Sequence, residues 1–228
     1  MTSREFLARY CDATALPLYD LICQHDDGRL GSPAFIVEPS VKFDQRDGSV
    51  SKNRFSIVVK QPKQALDIAA DLCEQGWIAP RFHNEVTVFV MKGVLKKGIF
   101  AFGLDFSAQR ILKVYTEYKV MGESGALQAR IDGIAVVDDT AVKLKHYMQL
   151  DLDAGYQAAV AGLKDLKIDK QLVDVVYGVS NEGVVSEYHM VLNAPLRHQA
   201  LDAVISVVTV KAHELTLYLR SLKDSANA

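Results

Sequence analysis

Five extended runs of this chain share one two-sided design, and that design limits what the chain can fold into. Successive side chains of a strand point to opposite faces, so residues i, i+2 and i+4 belong together. Along Phe35–Phe43, Phe35, Val37, Pro39, Val41 and Phe43 oppose Ile36, Glu38, Ser40 and Lys42. Along Arg54–Lys60, Phe55, Ile57 and Val59 oppose Arg54, Ser56, Val58 and Lys60. Leu112, Val114, Thr116 and Tyr118 oppose Lys113, Tyr115, Glu117 and Lys119. Leu144, His146, Met148 and Leu150 oppose Lys143, Lys145, Tyr147 and Gln149, and Leu215, Leu217 and Leu219 oppose Thr216, Tyr218 and Arg220.

Two arrangements accommodate such strands. One is a half-exposed antiparallel sheet, apolar inward and polar to solvent. The other closes the sheet, so that helices cover the apolar face and the polar face lines a lumen. Tyr115, Tyr147 and Tyr218 favour closure, because a large amphipathic ring prefers burial with its hydroxyl bonded. Lys and Arg in a confined space lose hydration unless an anion balances them. Tyr hydroxyls beside them are natural donors to phosphate oxygens. The expected fold is therefore α+β, an antiparallel β-barrel with helices outside and a polar, anion-binding lumen.

The other elements fit one domain spanning 1–228, with no Pro/Gly/Ser-rich linker. Residues 3–25 have helical apolar spacing, with a break expected at Pro17. A helix is predicted over Lys63–Gln75, opened by Pro62 and closed by Gly76. Val86–Met91, Ile99–Phe106 and Ile111–Val120 read as strands, the last two as a hairpin around Ser107–Arg110. Ala126–Val137 fits either helix or strand. His146–Leu152 reads as extended and Tyr156–Leu166 as helical. Leu172–Ser180 and Val184–Asn193 read as a hairpin around Asn181-Glu182-Gly183, followed by a helix over Leu196–Val208. Leu215–Ser221 is read as a final strand, with helix as the alternative.

Composition narrows the function classes. The net charge of −2 gives no global excess for a nucleic acid, and clusters such as Lys92, Lys96 and Lys97 suit a solvated face. No apolar stretch approaches the ~20 residues of a membrane-spanning helix. Met1–Tyr10 lacks the apolar core of a secretory signal, so a cytoplasmic location is expected. Cys11, Cys23 and Cys73 are an odd number without metal-ligand spacing. His83, His146, His189 and His198 likewise lack such spacing and read as core-edge or surface residues. Gly93–Gly98 lacks the order of a phosphate-binding P-loop, and no GxSxG or GxGxxG is present.

Four short segments, collinear and spread over most of the chain, resemble the ABBA-type prenyltransferases, above all those that prenylate cyanobactin peptides. They are Val37-Glu38-Pro39-Ser40-Val41-Lys42 with Asn53-Arg54-Phe55, Phe102-Gly103-Leu104-Asp105-Phe106 with Leu112-Lys113-Val114-Tyr115, Val176-Tyr177-Gly178-Val179-Ser180 with Glu187-Tyr188-His189, and Leu217-Tyr218-Leu219-Arg220. The resemblance implies a barrel of αββα units that moves a prenyl group from an allylic isoprenoid diphosphate to an aromatic or peptide acceptor. It implies that Glu38 orients or deprotonates the acceptor. Lys42, Arg54 and Lys113 would hold the diphosphate, with Tyr115, Tyr188 and Tyr218 lining the lumen. Lys145, Tyr147 and Arg220, on the same polar faces, join the substrate-binding set.

The chain is shorter than typical members of that family, which predicts a reduced repeat, and residues 121–170 match least. No cofactor is required by the sequence. Magnesium can assist by bridging phosphate oxygens, but the paired DDxxD clusters of prenyl synthases are absent; Asp138-Asp139 stands alone. The alternative from another class is a non-catalytic ligand-binding barrel, or an accessory protein of a biosynthetic pathway, with the same ancestry.

Overall fold

Strands whose two faces differ this strongly hide both by closing on themselves, which also removes the edges of the sheet. The computed structural model describes residues 2–26, 35–107, 109–122, 125–161, 163, 167–180, 184–198 and 202–221. Its strands are β1 (Phe35–Asp44), β2 (Val50–Ser51), β3 (Arg54–Val59), β4 (Ile99–Asp105), β5 (Ile111–Met121) and β6 (Leu127–Val137). They continue with β7 (Ala141–Gln149), β8 (Val173–Ser180), β9 (Val185–His198), β10 (Ala203–Lys211) and β11 (Glu214–Arg220). All pairings are antiparallel. From β3 onward each strand pairs with the next in sequence, and β1 lies between β3 and β11. That last contact, Ser40 opposite Tyr218 and Lys42 opposite Thr216, closes a ten-stranded barrel. β2 is a short flap on β1, with Ser51 opposite Lys42.

The helices are α1 (Ser3–Leu7), α2 (Leu16–Cys23), α3 (Pro62–Glu74), α4 (His83–Leu95) and α5 (Leu152–Val160). Each lies outside the barrel. α3 begins at Pro62, ends before Gly76 at φ +74, and turns Ala65, Ile68, Ala69 and Leu72 inward. Phe6, Leu7, Leu18 and Ile22 of α1 and α2 join the same core as the outward residues Ile57, Phe102 and Val114. Full burial of each such side chain contributes ~1.5–3 kcal/mol. Among the described residues no helix is long and apolar enough to cross a membrane.

Several expectations are corrected. Val86–Met91 is not a strand but part of α4. Its β-branched residues suggest a strand, yet Val86, Val90 and Gly93 fall on one helical face against the barrel. Leu196–Val208 is not a helix: its start belongs to β9, and its end to β10, paired with β9 on one side and β11 on the other. The N-terminal helical run is two short helices, separated where Asp12 Oδ1 accepts from the Thr14 backbone N–H at 2.8 Å and Asn53 Nδ2 donates to Asp12 Oδ2 at 3.0 Å. The stretch left open, Ala126–Val137, is extended, forming strand β6 from Leu127 onward. Asn181-Glu182-Gly183 lies outside the described residues.

No helix separates β5 from β6 or β6 from β7 among the described residues. The outward side chains Leu144 and Met148 of β7 are accordingly exposed.

Candidate functional site

Parity carries the polar faces inward. Lys113 and Tyr115 of β5 share the lumen with Arg54 and Ser56 of β3, Glu38 and Lys42 of β1, and Thr216 and Tyr218 of β11, while Leu112 and Val114 are buried outside. The lumen is an hourglass. One chamber, of about 350 Å³, is lined by Glu38, Val58, Ala101, Tyr147, His189 and Val191 among others; the second, of about 300 Å³, holds most of the charge. Arg54, Lys113, Tyr115 and Tyr218 line both and form the waist. Both volumes fall at the small end of the ~300–1,000 Å³ typical of ligand pockets.

In the charged chamber six cationic side chains, Lys42, Arg54, Lys113, Lys143, Lys145 and Lys211, face three carboxylates, Asp105, Glu187 and Glu214. Arg54 Nε lies 2.9 Å from Asp105 Oδ2 and Lys113 Nζ lies 3.9 Å from the same oxygen. Lys145 pairs with Glu187 and Lys42 with Glu214, each at 3.0 Å. The buried Arg54 Nε–H is not aligned for a hydrogen bond, although Nη1 donates to Thr216 Oγ1 at 3.4 Å. A surplus of cations and an incompletely satisfied guanidinium suit a multiply charged anion.

The electrostatics agree. Desolvation, reinforced by Arg54, pushes the Lys113 ammonium down to about 8. Burial alone would raise the Asp105 carboxyl, but Arg54, Lys113 and two bonds from Ser107 outweigh it and hold it below its ordinary value. Burial pushes Tyr218 up to about 12 and Tyr115 and Tyr147 well above their ordinary value. All three hydroxyls therefore remain hydrogen-bond donors at neutral pH. Their rings cluster, Tyr147 meeting Tyr115 edge-on at 5.7 Å and His189 edge-on at 5.0 Å.

No protein-family model and no curated protein matches the chain.

Of the residues singled out by sequence, Lys42, Arg54, Lys113, Tyr115, Lys145 and Tyr218 line the charged chamber, and Glu38 and Tyr147 line the other. Glu38 is 6% exposed; its Oε1 accepts from Arg220 Nε at 2.7 Å and from Ser206 Oγ at 2.9 Å. Arg220 thus serves Glu38. Tyr188 is corrected: it stands opposite Gly178 and Val210 on the outward face of β9 and packs against the outer core. Its neighbours Glu187 and His189 point inward instead.

Sequence reasoning missed Asp105, Glu187, His189, Lys211 and Glu214. The apolar parity of Tyr188 with Met190 and Leu192 would have turned Glu187 and His189 inward. Lys211 was hidden behind the helix expected over Leu196–Val208. Among the described residues no three His, Cys, Asp or Glu side chains are grouped to hold a metal.

Proposed function

We propose that this chain is an aromatic or peptide prenyltransferase of the ABBA type. The observation that carries this is the hourglass: a cation-rich chamber joined through a tyrosine-lined waist to a less charged one. The diphosphate of an allylic donor occupies the cation-rich chamber, held by Lys42, Arg54, Lys113 and Lys145. Its allylic carbon reaches the waist. As the C–O bond breaks, the cations stabilise the leaving diphosphate. The faces of Tyr115 and Tyr218 stabilise the allylic cation by cation–π attraction worth ~0.5–2 kcal/mol per ring.

The acceptor ring lies in the other chamber, where Glu38 Oε2 accepts a hydrogen bond that orients it, Oε1 being engaged by Arg220 and Ser206. On this reading α1 and α2, the strands β1 and β3, and α3 and α4 would make up one αββα unit. Among the described residues the later strand pairs carry one helix or none. Magnesium, where it takes part, arrives as the counter-ion of the diphosphate, since each carboxylate of the charged chamber already faces a cation.

The test is to incubate the purified chain with dimethylallyl, geranyl or farnesyl diphosphate and N-acetyl-tryptophan amide, N-acetyl-tyrosine amide or short peptides containing these residues. Products one prenyl unit heavier than the acceptor are expected, with dimethylallyl diphosphate the preferred donor in these small chambers. Binding of all donors without turnover on any acceptor would leave a non-catalytic binding barrel. No binding at all would reject both.

A further inference from the structure

Glu187 lines the charged chamber and His189, two residues along the same face of β9, lines the other, so the pair spans the waist. Glu187 Oε2 faces Lys145 Nζ at 3.0 Å and its Oε1 faces His189 Nε2 at 2.7 Å. Burial alone would raise the Glu187 carboxyl, but the His189 bond, the attraction of the ring when it is protonated, and then Lys145 hold it well below the usual carboxylate range. An ionised carboxylate only accepts, so the proton of a neutral His189 sits on Nε2. Nδ1 then carries the lone pair, and it has no hydrogen-bond partner among the described residues. The half-buried ring lies between Tyr147, at 5.0 Å, and Tyr218, at 6.4 Å. Glu38, by contrast, has a guanidinium and a hydroxyl on one oxygen.

We propose that His189, held in one tautomer by Glu187, is the base that takes the acceptor's proton, and that Glu38 only orients the acceptor. This rests on the transferase reading above. The allylic C–O bond breaks and its electron pair leaves with the diphosphate. An electron pair of the acceptor forms the bond to the allylic carbon. The proton on the attacking atom moves to Nδ1, and its bonding pair returns to the acceptor. The resulting imidazolium is balanced by Glu187 and passes the proton to water at the chamber mouth. The arrangement is that of a carboxylate orienting a catalytic imidazole.

His189→Gln retains an N–H for Glu187, and His189→Gly opens room for imidazole. With dimethylallyl diphosphate and the acceptor on which the wild type is active, His189→Gln is expected to slow transfer about 100-fold or more. Stabilisation by inorganic diphosphate should persist, and prenyl alcohol should rise relative to prenylated product as water captures the cation. Added imidazole should restore transfer to His189→Gly, which loss of a merely structural histidine would not allow. Near-wild-type transfer by His189→Gln, or a His189→Gly variant deaf to imidazole, overturns the assignment while the transferase reading stands. A wild-type chain that neither binds diphosphate nor transfers a prenyl group removes both.

Discussion

Arg220 Nε lies 2.7 Å from Glu38 Oε1, joining the end of the last strand to the first across 182 residues of sequence. The two sides of this pair are unequal: the Glu38 side chain is 8% exposed and that of Arg220 is 35%. Arg220→Ala leaves a carboxylate buried with only Ser206, whereas Glu38→Gln leaves a guanidinium that water can reach. Arg220→Ala should therefore destabilise more. Both costs should lie between the ~0–1 kcal/mol of an exposed pair and the ~3–5 kcal/mol of breaking a buried one. Urea unfolding of the two variants checks the order, and the reverse order would contradict this account.

The same pair separates the roles of the chambers. Glu38→Gln should raise the KM for the acceptor, because the orienting oxygen loses its charge, while the stabilisation given by inorganic diphosphate stays near wild type. Lys113→Ala should do the opposite, a charge-assisted contact being worth ~1.5–3 kcal/mol. Thermal shift with inorganic diphosphate, followed by steady-state kinetics, measures both.

Lys113 also sets a pH dependence. Its ammonium releases a proton near pH 8 in the folded chain against 10.5 for the free group. Between those values the unfolded chain holds more protons, so this group makes folding more favourable as pH rises, by up to ~1.4 kcal/mol per pH unit. Cysteine and tyrosine groups raised by burial, such as Cys11 and Tyr218, act in the opposite sense at higher pH. The comparison is therefore wild type against Lys113→Met between pH 7.5 and 9.5, and the wild type should gain relative to the variant. Diphosphate favours the charged ammonium, so its stabilising effect should fade above pH 8. Identical pH profiles for the two proteins would show that Lys113 is not desolvated.

Metal removal is informative because the three carboxylates of the charged chamber are each committed to a cation. Prenyl transfer should retain most of its rate in excess EDTA. Complete loss, restored by magnesium, would mean that the metal and not the lysines neutralises the leaving group.

Gly93 tests the helix that the sequence pattern missed. A Cβ there would meet Phe100 Cζ and Thr116 Oγ1 at 2.7 Å. Gly93→Ala should cost ~1–3 kcal/mol through overpacking, despite the better helix propensity of alanine. A neutral or stabilising effect in thermal unfolding would place α4 farther from the barrel.

What the amino-acid sequence determined by itself was the sidedness of the strands. Alternation is a property of one extended segment, so Lys113 and Tyr115 could be set against Leu112 and Val114 before any partner strand was known. With tyrosines on the polar face, closure and a charged interior followed. Local preference failed where tertiary packing overrode it. Val86–Met91 is helical because one face fits the barrel wall, and Val204–Val210 is extended because two neighbouring strands supply its hydrogen bonds. The family resemblance put Tyr188 in the lumen against its own parity with Met190 and Leu192, and β9 turns it outward.

Only the closed barrel could decide which charges meet. Glu38 with Arg220, Arg54 with Asp105 and Lys145 with Glu187 are pairs between distant segments. Their geometry depends on strand register, tilt and closure, which no single segment carries. For the same reason the division of the lumen into a charged chamber and one holding His189, with Glu187 bridging them, exists only in the assembled barrel.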